Sequence, residues 1–164
     1  MTDEAAEVFQ ELVGELDYPM LVVTAASGDD RAGCLVGFAT QTSISPPRYM
    51  VCLSENNRTY RVASRTEHLG VHFLPADADD LAELFGGETG DDIDKFSRVA
   101  WEPGPASTPL LTGCRNRFVG RIVERRQVGD HVAFLLEPVF AQLGEPVRQF
   151  AFRRAKRIDP GHEA

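Results

Sequence analysis

Three groups of residues have the chemistry to hold or transform a ligand. The densest is Thr40-Gln41-Thr42-Ser43-Ile44-Ser45, where four hydroxyls and an amide follow an apolar run and precede Pro46-Pro47. Such side chains serve the carbonyls and ring nitrogens of a flat polar heterocycle, although an ordinary loop leaving a strand has the same composition. The second is Ser54-Glu55-Asn56-Asn57-Arg58-Thr59, at a change from strand-like to helix-like sequence. Free N–H groups at a helix start, the Arg58 guanidinium and the Thr59 hydroxyl would cradle a phosphate; a plain helix cap beside a surface arginine is the other reading. The third is Gly129-Asp130-His131, which sets an imidazole beside a carboxylate. Its histidine is either a proton donor whose protonation Asp130 biases or an exposed turn residue. His68, His72 and His162 offer less, because the first two fall at or within a strand-like run and the third lies in the tail.

The elements that must position these groups follow from periodicity. Ala6, Phe9, Leu12, Val13 and Leu16 recur at steps of three and four, which predicts a helix over residues 3–16, bounded by Pro19. Residues 20–26 form a β-branched apolar run that ends at Ser27-Gly28-Asp29-Asp30, a sequence suited to a tight turn. Strand character resumes over residues 32–40, with Gly33 and Gly37 marking bulges or close backbone approaches. After the diproline come a strand at 48–53, a short helix at 58–64 capped by Asn56 or Asn57, and a strand at 69–74. Asp77 predicts the N-cap of a helix over 78–85 that Gly86-Gly87 stops, and an acidic stretch at 88–94 leads to Lys95-Phe96. Residues 117–123 and 131–139 form a hairpin with Gly129-Asp130 at its tip, and residues 147–152 supply one more strand. Short helices among many strands, with no βαβ alternation, point to a mainly β domain, a closed or nearly closed antiparallel barrel.

Bulk properties narrow the function. With 164 residues, 43% of them hydrophobic, the chain suffices for one core and one domain. The 25 acidic residues against 17 basic ones, a formal charge of −8, disfavour nucleic acid as a partner. The cluster Arg153, Arg154, Lys156 and Arg157 is short enough to be a solvated strand end or tail. Cys34, Cys52 and Cys114 are odd in number, far apart and without metal-ligand spacing, which disfavours a zinc site and a disulfide framework; Cys34 and Cys52, inside apolar strand-like runs, read as reduced core residues. The first residues do not read as a signal peptide, and no apolar stretch approaches the roughly 20 residues of a membrane span. A cytoplasmic protein without a membrane partner is expected. No Gly-x-Gly-x-x-Gly, Walker-type lysine loop or nucleophile elbow is present, which argues against dinucleotide folds of the usual kind and against hydrolase triads.

Several stretches together resemble the flavin reductase domain, the FMN-binding split-barrel family that includes the reductase components of two-component flavin monooxygenases. They are Pro19-Met20-Leu21-Val22-Val23-Thr24, the run from Ala32-Gly33-Cys34 to Ser45-Pro46-Pro47, Val51-Cys52-Leu53-Ser54, Asn57-Arg58-Thr59, Asp94-Lys95-Phe96 and Gly129-Asp130-His131. The resemblance implies a homodimeric, six-stranded split barrel with FMN, or sometimes FAD, near the subunit interface, and NADH or NADPH as hydride donor. By the same likeness Ala39, Thr40, Gln41, Thr42 and Ser43 would lie along the isoalloxazine, and Cys52, Leu53, Ser54, Asn57, Arg58 and Thr59 along the ribityl chain and phosphate. Lys95 and Phe96 would close over the site, and His131 would be the catalytic residue near the nicotinamide. Reduced flavin would go to a flavin-dependent monooxygenase partner or to oxygen. The other functions open to such a barrel are direct reduction of an organic substrate, with FMN or a deazaflavin, and flavin or heme binding without catalysis.

Overall fold

The computed structural model describes residues 2–146 and 148–161. Helix α1 (Asp3–Gly14) starts at Thr2, whose side chain accepts from the Ala5 N–H at 3.3 Å, with Asp3 and Glu4 in the first turn. It ends two residues earlier than the periodicity predicts, and none of its residues is buried. Its last carbonyls are met by the tail: Lys156 Nζ donates to Gly14 O at 3.1 Å and Arg153 to Glu15 O at 3.0 Å. Part of the basic cluster therefore serves as a cap for a helix end, where positive charge is favoured.

The sheet is built from strands β1 (Leu21–Ser27), β2 (Asp30–Val36), β3 (Ala39–Ser43), β4 (Arg48–Ser54) and β5 (His68–Phe73). A small ribbon, β6 (Trp101–Pro103) with β7 (Pro109–Leu111), intervenes before the long hairpin of β8 (Arg117–Gln127) and β9 (His131–Gln142). The order is β2-β1-β5-β8-β9-β4-β3, antiparallel throughout. The expected six-stranded barrel is thus corrected to a seven-stranded sheet that does not close. The difference arises at Gly37-Phe38, where the run expected as one strand over residues 32–40 splits into β2 and β3, the two edges of the sheet. A Cβ on Gly37 would lie 2.9 Å from the Tyr18 ring and 3.2 Å from Met20 Sδ, so only glycine lets the chain turn there against both. Because a two-residue link joins the two edge strands, the sheet must curl on itself, leaving a seam between them.

Curling buries both faces of β1. Leu21, Val23 and Ala25 join Val51, Leu53, Leu69, Val71, Phe134 and Leu136 inside the curl. Met20 and Val22 point the other way, to Leu74, Leu111 and Phe150 and to Ala82 and Phe85 of helix α3 (Asp79–Gly87). Each fully buried side chain of this size contributes on the order of 1.5–3 kcal/mol, which explains why β1 reads as an unbroken apolar run. Helix α3 begins one residue later than predicted, with Ala78 rather than Asp77 as N-cap, and extends through Gly87. The strand expected over 147–152 is replaced, apart from Val147, which lies outside the described residues, by isolated bridges Pro75↔Gln149 and Pro19↔Ala151 and by helix α4 (Phe152–Ala155).

One buried polar group ties the layers. The His72 ring accepts the Leu111 N–H at Nε2 (3.0 Å), so its proton sits on Nδ1, which donates to Val22 O (3.0 Å). Burial lowers its pKa from 6.5 to about 4. In the unfolded chain the imidazole takes up a proton near pH 6.5, while in the fold it does so only near pH 4. His72 thus contributes stability in full above pH 6.5, and that contribution is lost as pH falls from 6.5 to 4. The expected loss is about 3 kcal/mol. Urea unfolding at pH 7 and pH 4.5, for the native chain and for His72→Asn, checks this: the native chain should lose more stability on acidification than the variant.

Candidate active site

The largest cleft of interest, about 760 Å³, opens beside the seam. One wall is the end of β2 and the link, Cys34, Leu35, Val36, Gly37 and Phe38; another is the end of β4, Cys52, Leu53 and Ser54, with His131 from the start of β9. The backbone holds these walls together, since Ser54 pairs with His131 across β4 and β9 and the Cys52 N–H donates to Phe38 O at 2.9 Å. The remaining wall is the tail. The Phe152 ring stacks on Tyr18, centroids 4.7 Å apart and planes 11° apart, followed by Ala155, Lys156 and Ile158. Flat, mostly apolar surfaces with a few polar groups suit an aromatic heterocycle.

A second cleft of about 360 Å³ adjoins it, lined by Asp30, Arg31, Gly33, Asn57, Arg58, Thr59 and residues 90–96. Asn57 belongs to both clefts, and Gly33 and Cys34 are neighbours in the chain, so the two spaces meet. Helix α2 (Arg58–Ala63) begins here because the Asn57 side chain accepts from the Thr59 N–H at 2.9 Å. At six residues it is too short for its dipole to hold an anion by itself, so binding rests on side chains. Arg58 is ion-paired with Asp30 Oδ1, and Arg65 takes Oδ2 of the same carboxylate at 2.6 Å. The Thr59 hydroxyl is 1% exposed, lies beside the Cys34 thiol, and has no oxygen or nitrogen partner among the described residues.

Lys95 and Phe96 line the smaller cleft and do not close over the larger one. The Lys95 ammonium is buried and donates to Gly33 O (3.1 Å) and Phe85 O (3.2 Å), tying β2 to the end of α3; burial holds its pKa below the usual lysine range. Phe96 packs edge-on between Phe85 and Trp101. Both are pillars at the floor of the site.

His131 lines the larger cleft, its ring 5.1 Å from that of Phe38. Its Nδ1 lies 2.6 Å from Asp130 Oδ1, and this bond holds the Asp130 carboxyl below the usual carboxylate range. With Nδ1 donating to the carboxylate, Nε2 is left as the nitrogen that can take or give a proton. Burial raises the Cys34 and Cys52 thiols, so neither is disposed to act as a thiolate. Cys52, expected in the core, is only partly buried and faces the cleft.

Ala39, Thr40, Gln41, Thr42 and Ser43 form β3, bonded on one side to β4, and line neither cleft; Thr40, Gln41 and Thr42 are exposed. The segment just before them, residues 34–38, takes the place facing the ligand space. The tail residues Phe152, Lys156 and Ile158, and Tyr18 opposite them, were invisible in sequence reading. Tyr18 beside a proline and the aromatic pair Phe150 and Phe152 were the only signals available.

Fold and clefts together define a small β-domain in which an apolar, aromatic cleft meets a polar one lined by Arg58. Residues 13–158 match the model of the flavin reductase like domain, and the chain belongs to that family. The 4-hydroxyphenylacetate 3-monooxygenase reductase component of Pseudomonas aeruginosa is 27% identical over 132 residues, 80% of this chain and 78% of that protein. The FMN reductase (NADH) RutF of Methylorubrum extorquens is 29% identical over 126 residues, 77% of this chain and 61% of its own. Among solved structures, the NADH:FAD oxidoreductase SgcE6 of Streptomyces globisporus has the same fold, with a TM-score of 0.82 at 23% identity over 93% of this chain and 91% of its own. Among the described residues no helix is long and apolar enough to cross a membrane.

Proposed function

We propose that the protein is an NAD(P)H:flavin oxidoreductase that takes up FMN, or FAD, and catalyses its reduction. The observation that carries this reading is the meeting of two unlike clefts at Asn57, one apolar and aromatic, the other lined by Arg58 and Thr59. The ring fits between residues 34–38, Cys52, Leu53 and Ser54, and the ribityl phosphate reaches past Asn57 to Arg58 and Thr59. When bound, the flavin supplies the two-electron chemistry, accepting a hydride from the dihydronicotinamide. The chain's own work is to stack the two rings at near-attack distance, to exclude water with the Tyr18 and Phe152 wall, and to hold a proton at His131 Nε2.

A homodimer suits this arrangement. The outer edge of β3 has no strand partner among the described residues, and Phe38 and Ile44 beside it are 58% and 85% exposed. A second copy on that edge would bring residues 39–43 to the flavin. The relatives named as monooxygenase reductase components support release of reduced flavin to such a monooxygenase; a cytoplasmic location is part of the same proposal.

Anaerobic stopped-flow mixing of the protein and FMN with NADH or NADPH tests the proposal. Rapid bleaching of the flavin band is expected with at least one donor; a yellow complex that persists with both would sink the reductase reading in favour of a carrier. Arg58→Ala should weaken FMN binding by about 1–3 kcal/mol and leave riboflavin, which lacks the phosphate, unaffected. Titration of flavin fluorescence measures both, and equal affinities for FMN before and after substitution would return Arg58 to the solvated surface.

A further inference from the structure

We propose that Asp30 is a built-in rival of the flavin phosphate, an internal anion that sets how tightly Arg58 holds phosphorylated flavin. The proposal rests on the reading of Arg58 as the phosphate-binding group. Asp30 opens β2 on the rim of the smaller cleft and offers one carboxylate oxygen to each of two arginines, Oδ1 to Arg58 and Oδ2 to Arg65. Arg65 lines neither cleft, whereas Arg58 lines the smaller one. The Arg58 stem is fixed, since a Cβ on Gly90 would stand 2.9 Å from its Cδ and the loop therefore lies flat against it. Only the guanidinium is left to choose a partner. An arriving phosphate must share or displace the Asp30 carboxylate, and the carboxylate repels it at the same time.

The ion pair is partly exposed, with Arg58 and Asp30 side chains each at 31%, so it is a contact of modest strength that a phosphate dianion can overcome. Arg65 bears on the same balance from behind. It holds the second oxygen of Asp30 and draws the carboxylate away from Arg58, which eases the exchange. The consequence is a flavin site of limited affinity for the phosphate, fit for a flavin that arrives oxidised and leaves reduced.

Flavin fluorescence titration of Asp30→Asn, which keeps the shape and removes the charge, tests the proposal. FMN should bind about fivefold tighter, riboflavin should bind as before, and the same substitution in an Arg58→Ala background should tighten FMN binding much less, since only the direct repulsion is then left to relieve. Arg65→Ala leaves the β1–β2 hairpin untouched and guards against a folding defect in Asp30→Asn; it should weaken FMN binding roughly threefold, and only while Asp30 is present. If Arg58→Ala weakens FMN binding but Asp30→Asn leaves it unchanged or weaker, Asp30 is no rival, and the phosphate role of Arg58 stands without it. If FMN binding ignores Arg58→Ala, that role fails and the rivalry fails with it.

Discussion

Replacement of His131 by alanine is expected to slow flavin bleaching by NADH or NADPH roughly 100-fold, at the lower end of what a positioned proton donor supplies. FMN affinity should change less than threefold, because in the proposed placement His131 lies at one edge of the ring cleft and the phosphate is held by Arg58. The basis is the pairing at Nδ1: Asp130 fixes the tautomer and leaves Nε2 to exchange a proton on the cleft side. Asp130→Asn, which keeps the shape and removes the charge, should cost less than His131→Ala. Single-turnover stopped flow separates the two quantities. A variant that binds FMN poorly yet reduces it at the native rate once saturated would make His131 a structural residue.

The second large effect falls on stability. Lys95→Met keeps the length of the side chain but strips the donor from Gly33 O and Phe85 O, leaving two backbone carbonyls unanswered in a buried place. Each such loss costs about 1–3 kcal/mol, so a decrease of about 2–5 kcal/mol is expected. Thermal melting followed by circular dichroism should show Tm falling by about 5–15 °C. An unchanged Tm would mean that water reaches these carbonyls and that Lys95 is no pillar.

Local sequence made some of the molecule legible and left the rest hidden. The β8–β9 hairpin was readable because Gly129, with φ of +141°, accepts a conformation few other residues tolerate, and strand patterning flanks it. Asn57 announced α2 because its cap is a contact between near neighbours in sequence. The division of β2 from β3 was not readable. Gly37 could be marked as a bulge or a close backbone approach but not as a strand end, since the split depends on Tyr18 and Met20 pressing on it from another part of the chain. The β6–β7 ribbon escaped notice for a similar reason: its Leu111 N–H is met by His72, 39 residues away in sequence. Of the candidate site, the polar groups Ser54, Asn57, Arg58, Thr59 and His131 were identified from residue type and place. The apolar wall was not, since Phe152 and Ile158 look like any tail residues until the fold stacks Phe152 on Tyr18 and brings Ile158 to the same cleft. Chemistry was visible wherever a charged or hydrogen-bonding group stood at a turn; shape was invisible wherever distant segments made it.

The seam between β2 and β3 gives the two-residue link an importance beyond its length. Side chains alternate sides along a strand, so one residue added to or removed from Gly37-Phe38 would exchange the two faces of β3 in a single step. Ala39, Thr40 and Gln41 would each change sides, up to the bulge between Gln41 and Ser43, while the β1–β2 hairpin and the β8–β9 core kept their register. The surface that β3 offers to a ligand or to a second subunit is therefore adjustable by chain length, independently of composition, at an edge strand held by a single neighbour, β4.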